Sequence, residues 1–156
     1  MSNKKLSLLT ALTLLLLFPS CVTYYIPINS FKEQFAGIDS TKFVPVEVDP
    51  GFPGGLLYLI GSRYLANPLT KIKCLDKKGN PTEVEVTPNI EIRFTYGEKN
   101  KRRSFFFDRI YVTDSTVTGT SSRLFSKMSQ RTIPLQKLKK IEIQNDQKKY
   151  YYKNKR

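Results

Sequence analysis

The chain has 156 residues, with 26 Lys+Arg against 13 Asp+Glu for a net charge of +13, and it contains no histidine. That length suits one domain with a real core, and the missing histidine removes the commonest general base and metal ligand. The cationic excess points to an acidic partner or surface: lipid headgroups, an acidic protein or nucleic acid.

Residues 1–20 read as three zones. Lys4 and Lys5 give a positive start, the leucine-rich run "LSLLTALTLLLLF" follows, and Pro19-Ser20 breaks it before Cys21. Basic, apolar, then small at the cut is the layout of a secretory signal. The apolar run is shorter than the roughly 18–20 residues that cross ~30 Å of hydrocarbon. The cysteine at the cut resembles a bacterial lipoprotein signal, in which the sulfur of the first mature residue carries acyl chains such as palmitate. Ser20 matches the small residue such signals place there, while Phe18 and Pro19 depart from the usual pattern. The resemblance implies cleavage between Ser20 and Cys21, lipid on Cys21, and a mature charge of +11 once Lys4 and Lys5 are gone. Val22 is not the aspartate that retains such proteins in the inner membrane, and "VTYYIPIN" carries no acidic residue of the kind linked to surface display. The implied location is the outer membrane, facing the periplasm. An export signal also argues against a nucleic-acid partner.

Residues 21–29 are predicted to be a lipidated tether, residues 30–152 a β-rich domain, and residues 153–156 a basic tail. "SFKEQFAGI" predicts one short helix, with Ser30 and Glu33 as a capping box, Phe31, Phe35 and Ile38 on one face, and Gly37 ending it. "FVPVEV" reads as extended and "DPGFPGG" as a loop. No Gly-Lys-Ser/Thr follows those glycines, so they are not a phosphate loop. "LLYLIGSRYLANP" fits either a buried strand or a short helix. From Lys71 onward the period is two: "KIKC", "TEVEV" and "IEIRFTY" place Ile72, Val84, Val86, Ile90, Ile92 and Phe94 on inner faces, with turns at "DKKGNP" and "YGEKNK". "SFFFDRIYV" reads as a further strand, then "TVTGTS" and "RTIPL", the last ended by Pro134 and one helical turn over residues 136–138. "KIEIQ" and "KKYYYK" are predicted to pair as a hairpin over Asn145-Asp146. Short strands at this spacing predict a mainly β chain, a single antiparallel β-sandwich or small barrel-like domain with one short N-terminal helix.

The segments "FKEQFAGIDSTK", "FFFDRIYVTDSTVTGTSSRLF" and "IPLQKLKKIEIQ" resemble a group of uncharacterised lipid-anchored envelope proteins of Bacteroides-type bacteria. That resemblance implies an exported β domain and carries no activity onto particular residues.

The candidate chemistry is sparse. Glu83, Glu85 and Glu91 lie on the face opposite Val84, Val86 and Ile92, beside Lys71, Lys73 and Arg93, and read as an ion-paired outer face. Asp108 beside Arg109 reads as a strand-end partner, and Ser121, Ser122, Ser126 and Ser129 near Lys127 as a polar, mobile loop. Cys74 shares a strand face with Ile72 and reads as core, because no histidine exists to activate it. Three basic stretches remain: residues 99–103, 137–140 and 148–156. Lys99, Lys101, Arg102, Arg103, Lys148, Lys149, Lys153, Lys155 and Arg156 are the candidate contacts to anionic headgroups, each worth ~1 kcal/mol when well placed. No catalytic residue, metal ligand or cofactor is expected. The expected function is a non-catalytic binding or structural module with an envelope partner, and the alternative is a hydrolase of envelope polymers.

Overall fold

The structure, a computed structural model, describes residues 24–49, 63–123, 125–145 and 150–153. The signal, Cys21, the "DPGFPGG" loop after Asp49, and Lys148, Lys149, Lys155 and Arg156 lie outside the described residues.

The elements in chain order are β1 (Tyr24–Tyr25), α1 (Ile28–Phe35), β2 (Val44–Asp49), β3 (Arg63–Ala66), β4 (Lys71–Leu75), β5 (Pro81–Glu85), β6 (Ile90–Tyr96) and β7 (Lys101–Phe106). They continue with β8 (Tyr111–Val112), β9 (Thr116–Thr120), α2 (Ser126–Ser129), β10 (Gln130–Pro134), β11 (Leu138–Asn145) and β12 (Tyr151–Tyr152). They form three antiparallel sheets: a six-stranded one ordered β5-β4-β1-β11-β6-β7, and two three-stranded ones ordered β10-β9-β8 and β12-β2-β3. The chain is mainly β with a short N-terminal helix, as its alternation predicts.

Period-two patterning sets the layers. Ile72, Cys74, Ile90, Ile92, Phe94, Phe105, Ile141 and Ile143 point inward from the six-stranded sheet. They meet Phe31 and Phe35 of α1, Val117 of β9 and Ile133 of β10 in one core. Each of these larger side chains contributes roughly 1.5–3 kcal/mol by leaving water. Phe31 stacks edge-on against Phe94 at 5.6 Å, and Phe35 meets Phe107 at 5.7 Å. Val46, Val48, Ala66 and Phe106 are buried outside that cluster, beneath or beside the β12-β2-β3 sheet.

Several sequence expectations are corrected. Tyr24 and Tyr25, expected in the tether, form β1 between β4 and β11, so the fold begins well before residue 30. The helix begins at Ile28 behind Pro27, with no side-chain cap. Ser30 therefore lies inside the first turn, where its Oγ accepts from Gln34 Nε2 at 3.2 Å, and the capping box does not form. This start puts Ile28 on the same face as Phe31 and Phe35, where it packs partly buried against the core. Gly37 ends the helix at φ +72°, as expected of a position where the chain enters the left-handed region.

"SFFFDRIYV" is not one strand. A 3₁₀ turn at Phe107–Arg109 separates β7 from β8, so that Phe105 and Phe107 both enter the main core while Phe106 between them is buried outside it. The expected hairpin over Asn145-Asp146 is not the pairing seen: β12 lies against β2, with Tyr151 opposite Asp49 and Tyr152 opposite Val48. Lys153, expected in a free tail, donates its backbone N–H to Glu47 O at 2.8 Å and thereby extends that pairing. Of the segment that fits either strand or helix, Arg63–Ala66 is strand β3.

Candidate functional site

The most concentrated chemistry in the described residues is a buried charged cluster around Asp108. The 3₁₀ turn carrying Asp108 is held by Asn67, whose backbone N–H donates to Asp108 O at 2.9 Å and whose Nδ2 donates to Phe107 O at 2.6 Å. The turn aims the Asp108 carboxylate away from the main core. Tyr152 of β12 donates to Oδ2 at 2.9 Å, and Tyr64 of β3 donates to the same oxygen. Arg123, from the segment after β9, approaches Oδ1 at 3.4 Å, donates to Tyr64 Oη at 2.6 Å and also donates to Pro88 O. Its guanidinium stacks 4.0 Å above Phe106, and the Arg109 guanidinium lies 3.8 Å over the Tyr64 ring.

The electrostatics follow from burial. The Asp108 side chain is 0% exposed and the Arg123 side chain 7%. Burial, followed by the Asp108 charge, pushes the Tyr64 phenol above its usual range and keeps it a donor. Burial works against the Arg123 charge, but the Asp108 carboxylate and Tyr64 outweigh it and hold the guanidinium firmly protonated. Arg109 is shifted down, first by burial and then by the neighbouring Arg123. The Nε atoms of Arg109 and Arg123 are buried without a hydrogen-bond partner among the described residues.

This arrangement suits structure better than reaction. A general base needs a path to substrate, and the Asp108 carboxylate is enclosed and engaged by two phenols and a guanidinium. The cluster ties the β12-β2-β3 sheet, the segment following β9 and the end of β7 to one carboxylate. Asp108 is thus a partner in an ion pair, but its partner is Arg123, while Arg109 beside it stacks on Tyr64. Sequence reasoning missed Arg123, Tyr64 and Tyr152, which are scattered over 89 positions of a chain in which each looks ordinary alone.

The other candidate residues do not converge. Glu83 and Glu85 stand opposite Lys73 and Lys71 across β4–β5, with Lys71 Nζ 3.3 Å from Glu83. Glu91 is on β6, with β4, β1 and β11 in between, and Arg93 turns to Gln144 at 2.6 Å. No group of three or more metal-ligating side chains exists among the described residues. The serine-rich segment expected as a mobile loop contains the helical turn α2 and closes around Thr120, which donates to Ser122 O at 3.0 Å and bonds the Ser129 hydroxyl. Lys127 points to solvent. Cys74 is buried, and burial raises its thiol pKa to about 11, which is the inert state of a core cysteine.

A surface groove of about 510 Å³ runs between the end of α1 and β8, lined by Phe35, Ile38, Tyr111 and Leu135 with Lys32 and Asp114 at its rim. Asp39, also in its wall, is occupied with the Thr41 backbone and hydroxyl.

The candidate headgroup contacts separate in space. Lys99, Lys101, Arg102 and Arg103 are exposed on the β6–β7 hairpin. Lys153 sits on another sheet, its Nζ bonded to Glu47 at 2.8 Å. No helix among the described residues is long and apolar enough to cross a membrane. Comparison of the chain with protein-family models, curated proteins and solved structures gave no match.

Proposed function

We propose that the chain is an envelope lipoprotein whose β domain is a non-catalytic binding or structural module, held through lipid on Cys21 at the outer membrane and facing the periplasm. The observation that carries this reading is where the fold starts. The first described strand, β1, begins at Tyr24 in the interior of the six-stranded sheet. A cut between Ser20 and Cys21 therefore removes none of the described residues of that sheet and leaves the cysteine three residues ahead of Tyr24. Three residues reach at most about 10 Å, so an anchor there would hold the domain close to the bilayer. The use of Asp108 as a tie between sheets, with no access for substrate, supports a binding rather than a catalytic role.

The test is intact-mass spectrometry of the protein recovered from membranes. Acyl mass on Cys21, and its loss together with membrane partition in Cys21→Ala, is the expected result. An unmodified Cys21 in the mature protein would overturn the anchor.

A further inference from the structure

The positive charge of the fold is unevenly compensated. On the outward face of the six-stranded sheet cations are matched: Lys71 and Lys73 stand opposite Glu85 and Glu83, and Lys140 bonds Glu142 at 3.0 Å. At the β6–β7 end, Lys99, Lys101, Arg102, Arg103, Lys137 and Lys139 are all exposed, and none makes an ion pair among the described residues. The hairpin turn between them contributes a single acid, Glu98.

Two features of the backbone concentrate these cations. The β6–β11 register shifts between Leu138 and Lys140, a bulge that keeps Leu138 buried while Lys139 and Lys140 both face outward. In addition, β7 is the last strand of its sheet, so residues 101–103 lie on an edge with no further strand among the described residues. Consecutive cations on an edge repel indiscriminate strand pairing. The same edge favours an added strand that brings the opposite charge, with main-chain hydrogen bonds for affinity and side-chain charge for selectivity.

We propose that this end of the domain docks an extended acidic polypeptide segment along β7, read by Lys101, Arg102 and Arg103 with Lys99, Lys137 and Lys139 beside them. The choice of polypeptide over headgroup rests on the proposed anchor at Cys21. Tyr24 pairs with Ile143 near one end of β11, whereas the β6–β7 turn meets its other end, where Gly97 N donates to Lys137 O at 2.9 Å. Six residues of strand separate the two, about 20 Å. That exceeds two Debye lengths of ~8 Å at physiological salt, so headgroups gathered at the anchored end act weakly on the cationic end. A polysaccharide or nucleic acid would use the charge but has no use for a strand edge.

The test uses the full chain in uncharged detergent micelles with a labelled oligoglutamate as probe. Binding at ~50 mM salt should weaken by about tenfold or more at ~300 mM, as screening requires. Lys101→Glu/Arg102→Glu/Arg103→Glu should lower affinity by at least about tenfold. Lys32→Glu/Lys78→Glu/Lys127→Glu, an equal change in net charge on exposed sites elsewhere, should hold it within about twofold. If the first variant melts early, Lys137→Glu/Lys139→Glu, just before and at the start of β11 on the far side of β6, replaces it. Hydrogen exchange should show new amide protection confined to the β7 edge when the probe binds. Equal loss in both triple variants, or no new protection at β7, would overturn the proposal. So would capture of anionic vesicles, sulfated polysaccharide or single-stranded oligonucleotide through residues 101–103 with none of oligoglutamate. An unmodified Cys21 would remove the argument against headgroups but leave the oligoglutamate result standing, because that result is read without a membrane.

Discussion

Arg123 illustrates what one side chain contributes when it is buried beside a carboxylate. Removing the guanidinium alone would strand the Asp108 charge in a dry site, and breaking a buried pair from one side typically costs about 3–5 kcal/mol. We expect Arg123→Met to lose stability on that scale in urea denaturation, with Tyr152→Phe losing about 1 kcal/mol as one of several hydrogen bonds to the same carboxylate. The double variant Asp108→Leu/Arg123→Met should lose less than the sum of its singles, which a double-mutant cycle measures. Strict additivity would mean that the two side chains do not act as a pair. Nothing in "SSRLF" announces this role, since the segment reads as polar loop and Arg123 becomes a core residue only through the elements that close over it.

At the scale of elements, the packing of sheet on sheet depends on a close approach. Gly119 of β9 lies against the ring of Phe105 on β7, and a Cβ built there would come within 2.5 Å of the Phe105 ring and 2.8 Å of its own Cβ. Because Phe105 is buried and cannot swing away, Gly119→Ala should cost about 1–3 kcal/mol as overpacking, seen as a lowered denaturation midpoint. An unchanged midpoint would show that the two sheets slide apart freely. The helix is seated by a different device: Gln34 Oε1 accepts from Lys73 N at 2.7 Å and Gln34 Nε2 donates to Lys73 O at 3.0 Å. Its amide stands in for the strand that β1 is too short to supply beside β4. Such features mark the limit of what patterning reveals. The inner faces of β4, β6 and β11 were legible because alternation repeats over several residues. The pairing of β12 with β2 was not, because long-range partners leave no local signature and Asn145-Asp146 offered a plausible turn. Nor was β1, since two residues are too few to show a period. Of the candidate site, the Asp108 carboxylate was visible as a strand-end group, while the residues that enclose it were not.

For the molecule as a whole, the closing contacts are electrostatic as well as apolar. Glu47 on β2 joins Lys153 at 2.8 Å and Arg63 at 3.0 Å, so one carboxylate links the end of the described chain to β3. The hydrogen bond from Lys153, then that from Arg63, holds the Glu47 carboxyl below its usual range. A carboxyl whose folded pKa is depressed stabilises the fold above its unfolded value near 4.5, and that contribution fades as pH falls through the lower folded value. Acid titration of stability should therefore show a component below pH ~4.5 that Glu47→Gln removes, read by denaturation midpoints at successive pH values. An acid limb identical in Glu47→Gln would exclude this linkage. The Asn89 side chain reinforces the closure by exchanging hydrogen bonds with the Tyr150 backbone at 2.8 and 2.9 Å.

The position of β1 has a mechanical consequence. Within the six-stranded sheet, the β5-β4 pair and the β11-β6-β7 group are joined through Tyr24 and Tyr25. A tension applied to the chain ahead of Tyr24 is delivered not to a frayed periphery but to the seam between two halves of a sheet. Because β1 runs antiparallel to both neighbours, a pull along its axis loads its hydrogen bonds together in shear. The domain would resist such a pull up to a sharp rupture force. Once the seam parts, the next element to take the load is α1, which Gln34 seats against Lys73 of β4.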